Sequence, residues 1–397
     1  MSASQRIPAY VLPCIVLAQL AGTSVWFAGN AIVPAMQAAY HLPDHLTSSM
    51  TIAVQLGFIT GTLVFALLML ADRLSPVKLF MLSALLAATC NLALIWSAGD
   101  MSAMLLVRGL TGFFLAGVYP VGMKIAADWF AAKLGKALGF LVGALVLGTA
   151  LPHWVKSINS LLDWQVVIII TTLCAAVGGL IIGLCLRDGP HRTKGQGLQI
   201  HTLGKLFSHP PFRAAAFGYF GHMWELYTFW AFVPLFIQAY NALHQTTIPV
   251  ARWSFYIIGA GAISCTLGGY LSARLGSARV AALALLGSGI CCVLMPWFFF
   301  QSPFVFLSAL VIWGMLVIAD SPQFSALVSQ TSVPQQKGTA LTLVTCIGFA
   351  ITIVSIQSFG MVWRNLSQLV PHTYTSLLLL IGPLLGLLSM RRLLQTS

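Results

Sequence analysis

Arg187-Asp-Gly-Pro-His-Arg-Thr-Lys-Gly-Gln-Gly-Leu-Gln-Ile-His-Thr-Leu-Gly-Lys-Leu-Phe-Ser-His-Pro-Pro211 is the one long polar connection in a chain of 397 residues that is otherwise 58% hydrophobic and only 7% charged. On either side of it, apolar runs of about twenty residues recur, the length that crosses a bilayer as a helix. Transmembrane strands would alternate apolar and polar residues over about ten positions, so barrels are excluded and the chain reads as all-α and integral to the membrane. Twelve transmembrane helices are expected near 9–36, 47–70, 77–97, 103–126, 136–156, 164–186, 212–238, 252–273, 280–300, 304–328, 339–362 and 374–390. Residues 1–186 and 212–397 then form two six-helix bundles, and 187–211 is a cytoplasmic tether rich in Gly, Pro and basic residues.

The formal charge of +12 would suggest nucleic acid in a soluble protein, but the location of the charges decides otherwise. With the N-terminus inside, all twenty Lys and Arg except Arg108, Lys156, Arg252 and Arg364 fall on the cytoplasmic side. This is the positive-inside pattern, so both termini are expected in the cytoplasm, the bilayer is the partner and nucleic acid is not. The N-terminal apolar run is too long for a signal peptide and is read as an uncleaved first helix. All eight cysteines fall within expected spans without a CxxC pair, and the histidines of the tether lack metal spacing, so neither a disulfide framework, a metal site nor a cofactor is expected.

The halves repeat one another. Asn30-Ala-Ile-Val-Pro34 matches Trp230-Ala-Phe-Val-Pro234, Leu70-Ala-Asp-Arg-Leu74 matches Leu271-Ser-Ala-Arg-Leu275, Tyr119-Pro120 matches Ser321-Pro322, and Gly135-Lys-Ala-Leu138 matches Gly338-Thr-Ala-Leu341. The offset drifts by one residue per match. A parallel repeat of six spans puts a binding site between the halves near the midplane and makes their rocking the motion.

Leu70-Ala-Asp72-Arg73-Leu-Ser resembles the GxLaDRxGrr signature between helices 2 and 3 of the major facilitator superfamily (MFS), although Leu68 and Ser75 stand where glycines are usual. Arg108-Gly-Leu-Thr-Gly112 resembles the helix 4 motif RxxxG, and Asp128-Trp129-Phe130 its continuation. The resemblance covers essentially the whole chain and implies the MFS fold, two pseudo-symmetric bundles. It also implies a cytoplasmic gate in which Asp72 faces the start of helix 11 and Arg73 pairs with Asp128. Helix 5 departs from the antiporter pattern. Gly139 and Gly148 keep the spacing, but Pro152 and His153 replace the usual Gly-Pro, which leaves the direction of transport open.

Of eight acidic residues only Glu225 and Asp320 lie deep in a span. A charge at mid-membrane costs about 2.5–3.5 kcal/mol on translocon scales, so a deep acid is a functional hypothesis by default. Glu225 is expected to be the principal proton-coupling residue and Asp320 the second, the alternative for Asp320 being a hydrogen bond across a local kink at Pro322. His222, three residues from Glu225 and on the same helix face, is placed either to bond that carboxylate or share its proton, or to be satisfied by a neighbouring helix. Arg108 is expected to pair with an acid or line the cavity, and His153 to be solvated. Gln19, Trp26, Asn30, Gln55, Trp224, Tyr227 and Gln357 are the expected substrate-cavity residues. Acid and aromatics together favour a neutral, zwitterionic or cationic organic solute.

No HExxH, clustered Ser/His/acid set or phosphate loop is present, which argues against an enzyme, and with no nucleotide motif an ion gradient supplies the energy. The expected function is therefore secondary active transport of a small organic solute by alternating access, coupled to protons, by a monomer in a bacterial inner membrane. A proton-driven efflux pump for amphipathic or cationic compounds and a non-transporting receptor or sensor with the same fold are the alternatives.

Overall fold

The computed structural model describes residues 7–130, 134–158, 163–192, 203–333, 336–366 and 372–395. Arg6, Lys133 and Lys194, counted above among the topogenic charges, and residues 193–202 of the tether lie outside them. The spanning helices are α1 (Val11–Tyr40), α2 (Leu46–Leu67), α3 (Pro76–Ala93), α4 (Met101–Trp129), α5 (Leu134–Ile158), α6 (Trp164–Cys185), α7 (Pro210–His244), α8 (Val250–Leu275), α9 (Ser277–Phe298), α10 (Pro303–Thr331), α11 (Lys337–Leu366) and α12 (His372–Arg391). Among the described residues, eleven are long and apolar enough to cross a membrane by composition alone. The exception, α7, has 35 residues and so spans about 52 Å, ample for a bilayer. Its deficit is polarity, from His222, Glu225 and the Tyr and Trp residues that surround them. That polarity is hidden, because nearly every position of α7 from Gly218 to Val233 is buried. A helix buried on all faces is the centre of its bundle.

Among the described residues five spanning helices break, α8 at Ala260, α12 at Leu380, and three for which a local cause is evident. Pro120 in α4 cannot donate to the carbonyl four residues back, and a turn over Ala116–Val118 results. Pro322 does the same in α10, interrupting it at Asp320, and the Cys265 thiol of α8 lies 3.6 Å from the freed Ile318 carbonyl oxygen. These are the repeat-related Tyr119-Pro120 and Ser321-Pro322 positions. In α1 the break runs from Ser24 to Phe27 without a proline in it. There the Ser24 hydroxyl donates to the Ala21 carbonyl and reaches that of Thr171 in α6, a local competitor for helical hydrogen bonding.

Within each half, glycines set the closest approaches. A Cβ on Gly57 of α2 would collide with the Gly109 carbonyl of α4, and one on Gly221 of α7 with the Gly382 carbonyl of α12. The halves themselves meet mainly along three pairs, with α10 also touching α5 and α7 touching α2. α2 and α11 touch from Ser48 and Gly360 at the face opposite the tether to Phe58 and Phe349, whose rings are 4.5 Å apart. α5 and α8 touch over their length, from Trp154 on Phe255 at 4.9 Å to Lys136 over Tyr270 at 5.5 Å. α1 meets α7 through Trp26, Phe27, Tyr227 and Trp230.

Candidate functional site

At the middle of this seam the α1 break presents Trp26 and Phe27 to the other half. Trp26 stacks on Tyr227 and on Phe349, each at 5.9 Å, and lies 4.8 Å from Phe58. Phe27 meets Trp230 edge-on at 6.1 Å. Of the expected cavity residues, Trp26 and Tyr227 therefore belong to one aromatic cluster shared by both halves. Gln55, one turn before Phe58 on α2, and Gln19, against Gly122 of α4, are fully buried with neither end of their amides hydrogen-bonded. Asn30 donates to the Thr51 hydroxyl at 2.6 Å, a bond between α1 and α2 that leaves its carbonyl oxygen unpartnered.

Two expected cavity residues lie elsewhere. Trp224 points to α12, where its indole donates to the Leu378 carbonyl at 3.0 Å. Gln357 is exposed on the outer side of α11, because the buried side of that helix is set by Phe349, Ile356 and Phe359. His153, expected to be solvated, is buried with its Nε2 unpartnered.

The deep acids do not share a partner. Glu225 is buried between α7, α9 and α10. Its Oε1 accepts from the Trp313 indole at 2.6 Å and the Cys292 thiol at 3.4 Å, and its Oε2 accepts from the Ser288 hydroxyl at 2.9 Å. Asp320, at the α10 break, lies with its Oδ1 2.7 Å from His222 Nδ1, and both side chains are almost wholly buried. Of the two expectations for His222, the geometry gives the partner on a neighbouring helix, not Glu225. The two residues share a face of α7, but each looks at a different turn of α10. Trp313, Ser288 and Cys292 were not anticipated, since nothing in a uniformly apolar helix marks which face turns inward.

Of the alternatives for Arg108, the acid partner is not found among the described residues. Its guanidinium donates to the carbonyls of Val25, at 3.0 Å, and Trp26, and to Asn91 Oδ1 at 3.3 Å, while Nε has no acceptor. Arginine's planar fork suits two neighbouring carbonyls, and here it supplies the donors that the broken helix lacks.

Near the tether the expected gate is rearranged. Asp72 pairs with Lys124 of α4 at 3.1 Å, Arg73 is exposed, and no ion pair joins Arg73 to Asp128 among the described residues. Arg192, not Arg73, is the basic residue that holds this loop. It pairs with Asp188 at 2.7 Å and donates to the carbonyls of Asp72 and Leu74, while Asp188 accepts from the Ser75 hydroxyl at 2.7 Å. The His191 amide donates to the Asp128 carbonyl at 3.0 Å, and the Trp129 indole to that of Arg187 at 3.1 Å. The first residues of the tether are therefore clamped onto the loop after α2 and the end of α4. The i, i+4 spacing of Asp188 and Arg192 was the available signal. Arg192→Ala should accelerate amide hydrogen exchange at Asp188–Arg192 and Leu70–Leu74 about tenfold, roughly 1.4 kcal/mol of local opening, and Arg73→Ala should leave it unchanged. Equal effects of the two substitutions would remove Arg192 from this role.

This geometry, two bundles around a buried seam with paired breaks in α4 and α10, agrees with the comparisons. A sequence profile of the Major Facilitator Superfamily matches residues 15–390. The chain belongs to the Major Facilitator Superfamily. It is an integral membrane transporter with that superfamily's all-helical fold, not an enzyme. No curated protein sequence matches it. Among solved MFS structures, the human organic anion transporter MFSD10 (TETRAN) superposes with a TM-score of 0.74 at 15% identity, covering 97% of this chain and 100% of that one. The proton:xylose symporter XylE bound to 6-bromo-6-deoxy-D-glucose gives 0.75 at 14%, covering 98% and 96%. The nucleoside transporter NupG gives 0.70 at 15%, covering 97% and 99%. At such identities the likeness is one of fold. Substrates of these three proteins do not carry over to this MFS chain.

Proposed function

We propose that this chain is a proton-coupled secondary transporter of a small organic solute, working by alternating access at the seam between residues 1–186 and 212–397. The observation that carries the reading is the buried His222–Asp320 pair at the α10 break, a titratable couple with no structural need for an acid, since the repeat-related α4 breaks at Ala116–Val118 without one. The structure leads us to rank Asp320 above Glu225 for coupling. Asp320 faces a partner that can take or give a proton, whereas Glu225 is held by three neutral donors inside one half. Glu225 remains a second proton site in this proposal, because the Ser288 hydroxyl also reaches the Leu285 carbonyl at 3.2 Å and can turn to it when Oε2 carries a proton. When the seam opens to one side, the carboxylate is wetted and releases its proton, and when it closes, protonation removes the cost of burying charge.

The gate is proposed in amended form. Asp72 with Lys124, and Asp188 with Arg192, hold the loop after α2 and tie tether 187–211 to the N-terminal half, with Asp128 supplying a backbone acceptor. The orientation that goes with this reading places both termini and the tether in the cytoplasm of a bacterial inner membrane, with the monomer as the working unit.

The test is a solute panel presented to proteoliposomes with an imposed proton gradient. Uphill accumulation or extrusion of at least one solute, abolished by a protonophore, is the expected result. Downhill flux indifferent to the gradient would make the protein a facilitator, and binding without flux would make it a receptor.

A further inference from the structure

The polar atoms left without partners at the seam describe what is missing there. Trp26 Nε1, Trp230 Nε1 and both ends of the Gln55 amide are buried and unbonded. All three residues belong to the aromatic cluster at the seam or lie one turn from it. Trp26 stacks on Tyr227, Trp230 meets Tyr227 at 5.4 Å one turn further along α7, and Gln55 sits one turn from Phe58, whose ring contacts Trp26. Groups of this kind are normally satisfied, so several unsatisfied together mark a bound partner that the protein chain does not supply. Two of the three are indoles, which only donate, so that partner brings acceptor oxygens.

The local charge gives its sign. Arg108 is wholly buried, with its guanidinium on the carbonyls of Val25 and Trp26 themselves. No carboxylate answers it among the described residues. The second segment of α1 starts at Ala28, so its positive end adds to the same field. The acids of the other half are already engaged, Glu225 by Trp313, Ser288 and Cys292, and Asp320 by His222. A cationic solute would therefore meet the uncompensated arginine and no free carboxylate. This departs from the preference for a neutral, zwitterionic or cationic solute drawn from sequence, which rested on Glu225 and the aromatics beside it.

Building on the transport reading above, the geometry points to a planar organic monoanion, an aryl carboxylate, as the solute class, with its ring taking up the Tyr227–Phe349 contact once the seam opens and its oxygens on Trp26, Trp230 and Gln55. Rings supply sequence-tolerant stacking area, and the indole N–H groups fix the carboxylate end.

Purified full-length protein is titrated with benzoate, benzamide and benzylammonium, reading heat and thermal midpoint. Benzoate should bind saturably, benzamide at least about tenfold more weakly, and benzylammonium not at all. Trp26→Phe and Trp230→Phe keep a ring and remove the N–H, so each should weaken benzoate by about tenfold, as should Gln55→Met. Absence of benzoate binding, benzamide or benzylammonium binding as tightly as benzoate, or wild-type affinity in both indole variants would overturn the inference. If those variants lose their unliganded fold, the wild-type order of the three probes decides alone. Gradient-driven flux is read separately in vesicles. Uphill transport of a cation without benzoate binding overturns this inference and spares the transport reading. Selective benzoate binding with no flux for any solute does the reverse.

Discussion

Asp320→Asn should abolish gradient-driven accumulation while leaving solute-for-solute exchange within about threefold of wild type. The substitution preserves the size of the side chain and a carbonyl oxygen that can accept from His222, and removes only titration. Exchange needs the seam to open and close with solute bound, whereas accumulation also needs a proton to enter on one side and leave on the other. A neutral side chain at the α10 break carries the first and not the second. His222→Gln should act in the same direction more weakly, since the carboxylate can still titrate without its partner. Glu225→Gln should lower accumulation without abolishing it. Its amide oxygen can still accept from the Trp313 indole, and its amino group can donate to the Ser288 hydroxyl, so packing survives and only the second proton site is lost. Wild-type accumulation in Asp320→Asn together with lost accumulation in Glu225→Gln would move the coupling site to Glu225.

The largest loss of stability should come from Arg108→Ala. Three acceptors, the carbonyls of Val25 and Trp26 and the Asn91 amide oxygen, lose their donors in a site closed to water. Each orphaned acceptor costs about 1–3 kcal/mol, and the relief of removing a buried charge offsets only part of the total. A fall of roughly 10 °C in the thermal midpoint is expected, or failure to recover monodisperse protein. Arg108→Lys separates charge from geometry. A single ammonium cannot span the two carbonyls and Asn91 as the planar fork does, so it should recover less than half of the loss. If Arg108→Ala melts like wild type, the α1 break is held by Ser24 and packing alone.

The membrane spans were legible because hydropathy and helix length are properties of one segment at a time. The same holds for the breaks in α4 and α10, which follow from Pro120 and Pro322 whatever surrounds them. Rotation about the helix axis was not legible. α11 is apolar on most sides, so Gln357 could not be told from a cavity residue until Phe349, Ile356 and Phe359 fixed the buried face. Partner choice failed for a related reason. A spacing of three residues puts His222 and Glu225 on one face of α7, but antiparallel α10 offers Asp320 to the first and Trp313 to the second, seven residues apart. The break in α1 left a weaker trace, a Thr-Ser-Val run without proline, and its true sign is the buried arginine 82 residues away from Trp26. Asp188 and Arg192 were passed over because a polar connection reads as slack, whereas its first residues are fixed by hydrogen bonds to the N-terminal half.

The duplicated frame carries its deep charges unequally, with the uncompensated cation in the first half and both acids in the second. Opposite charges on opposite sides of the seam form a dipole set into the bilayer. Any turn of one half against the other tilts that dipole in the electric field across the membrane, and displacements of opposite sign in opposite directions add. A full elementary charge moved through 100 mV is worth about 2.3 kcal/mol, so even a tenth of that distance biases the resting orientation measurably. The protein should therefore respond to voltage as well as to protons, with the size of its transient currents set by how many of its two deep acids are ionised.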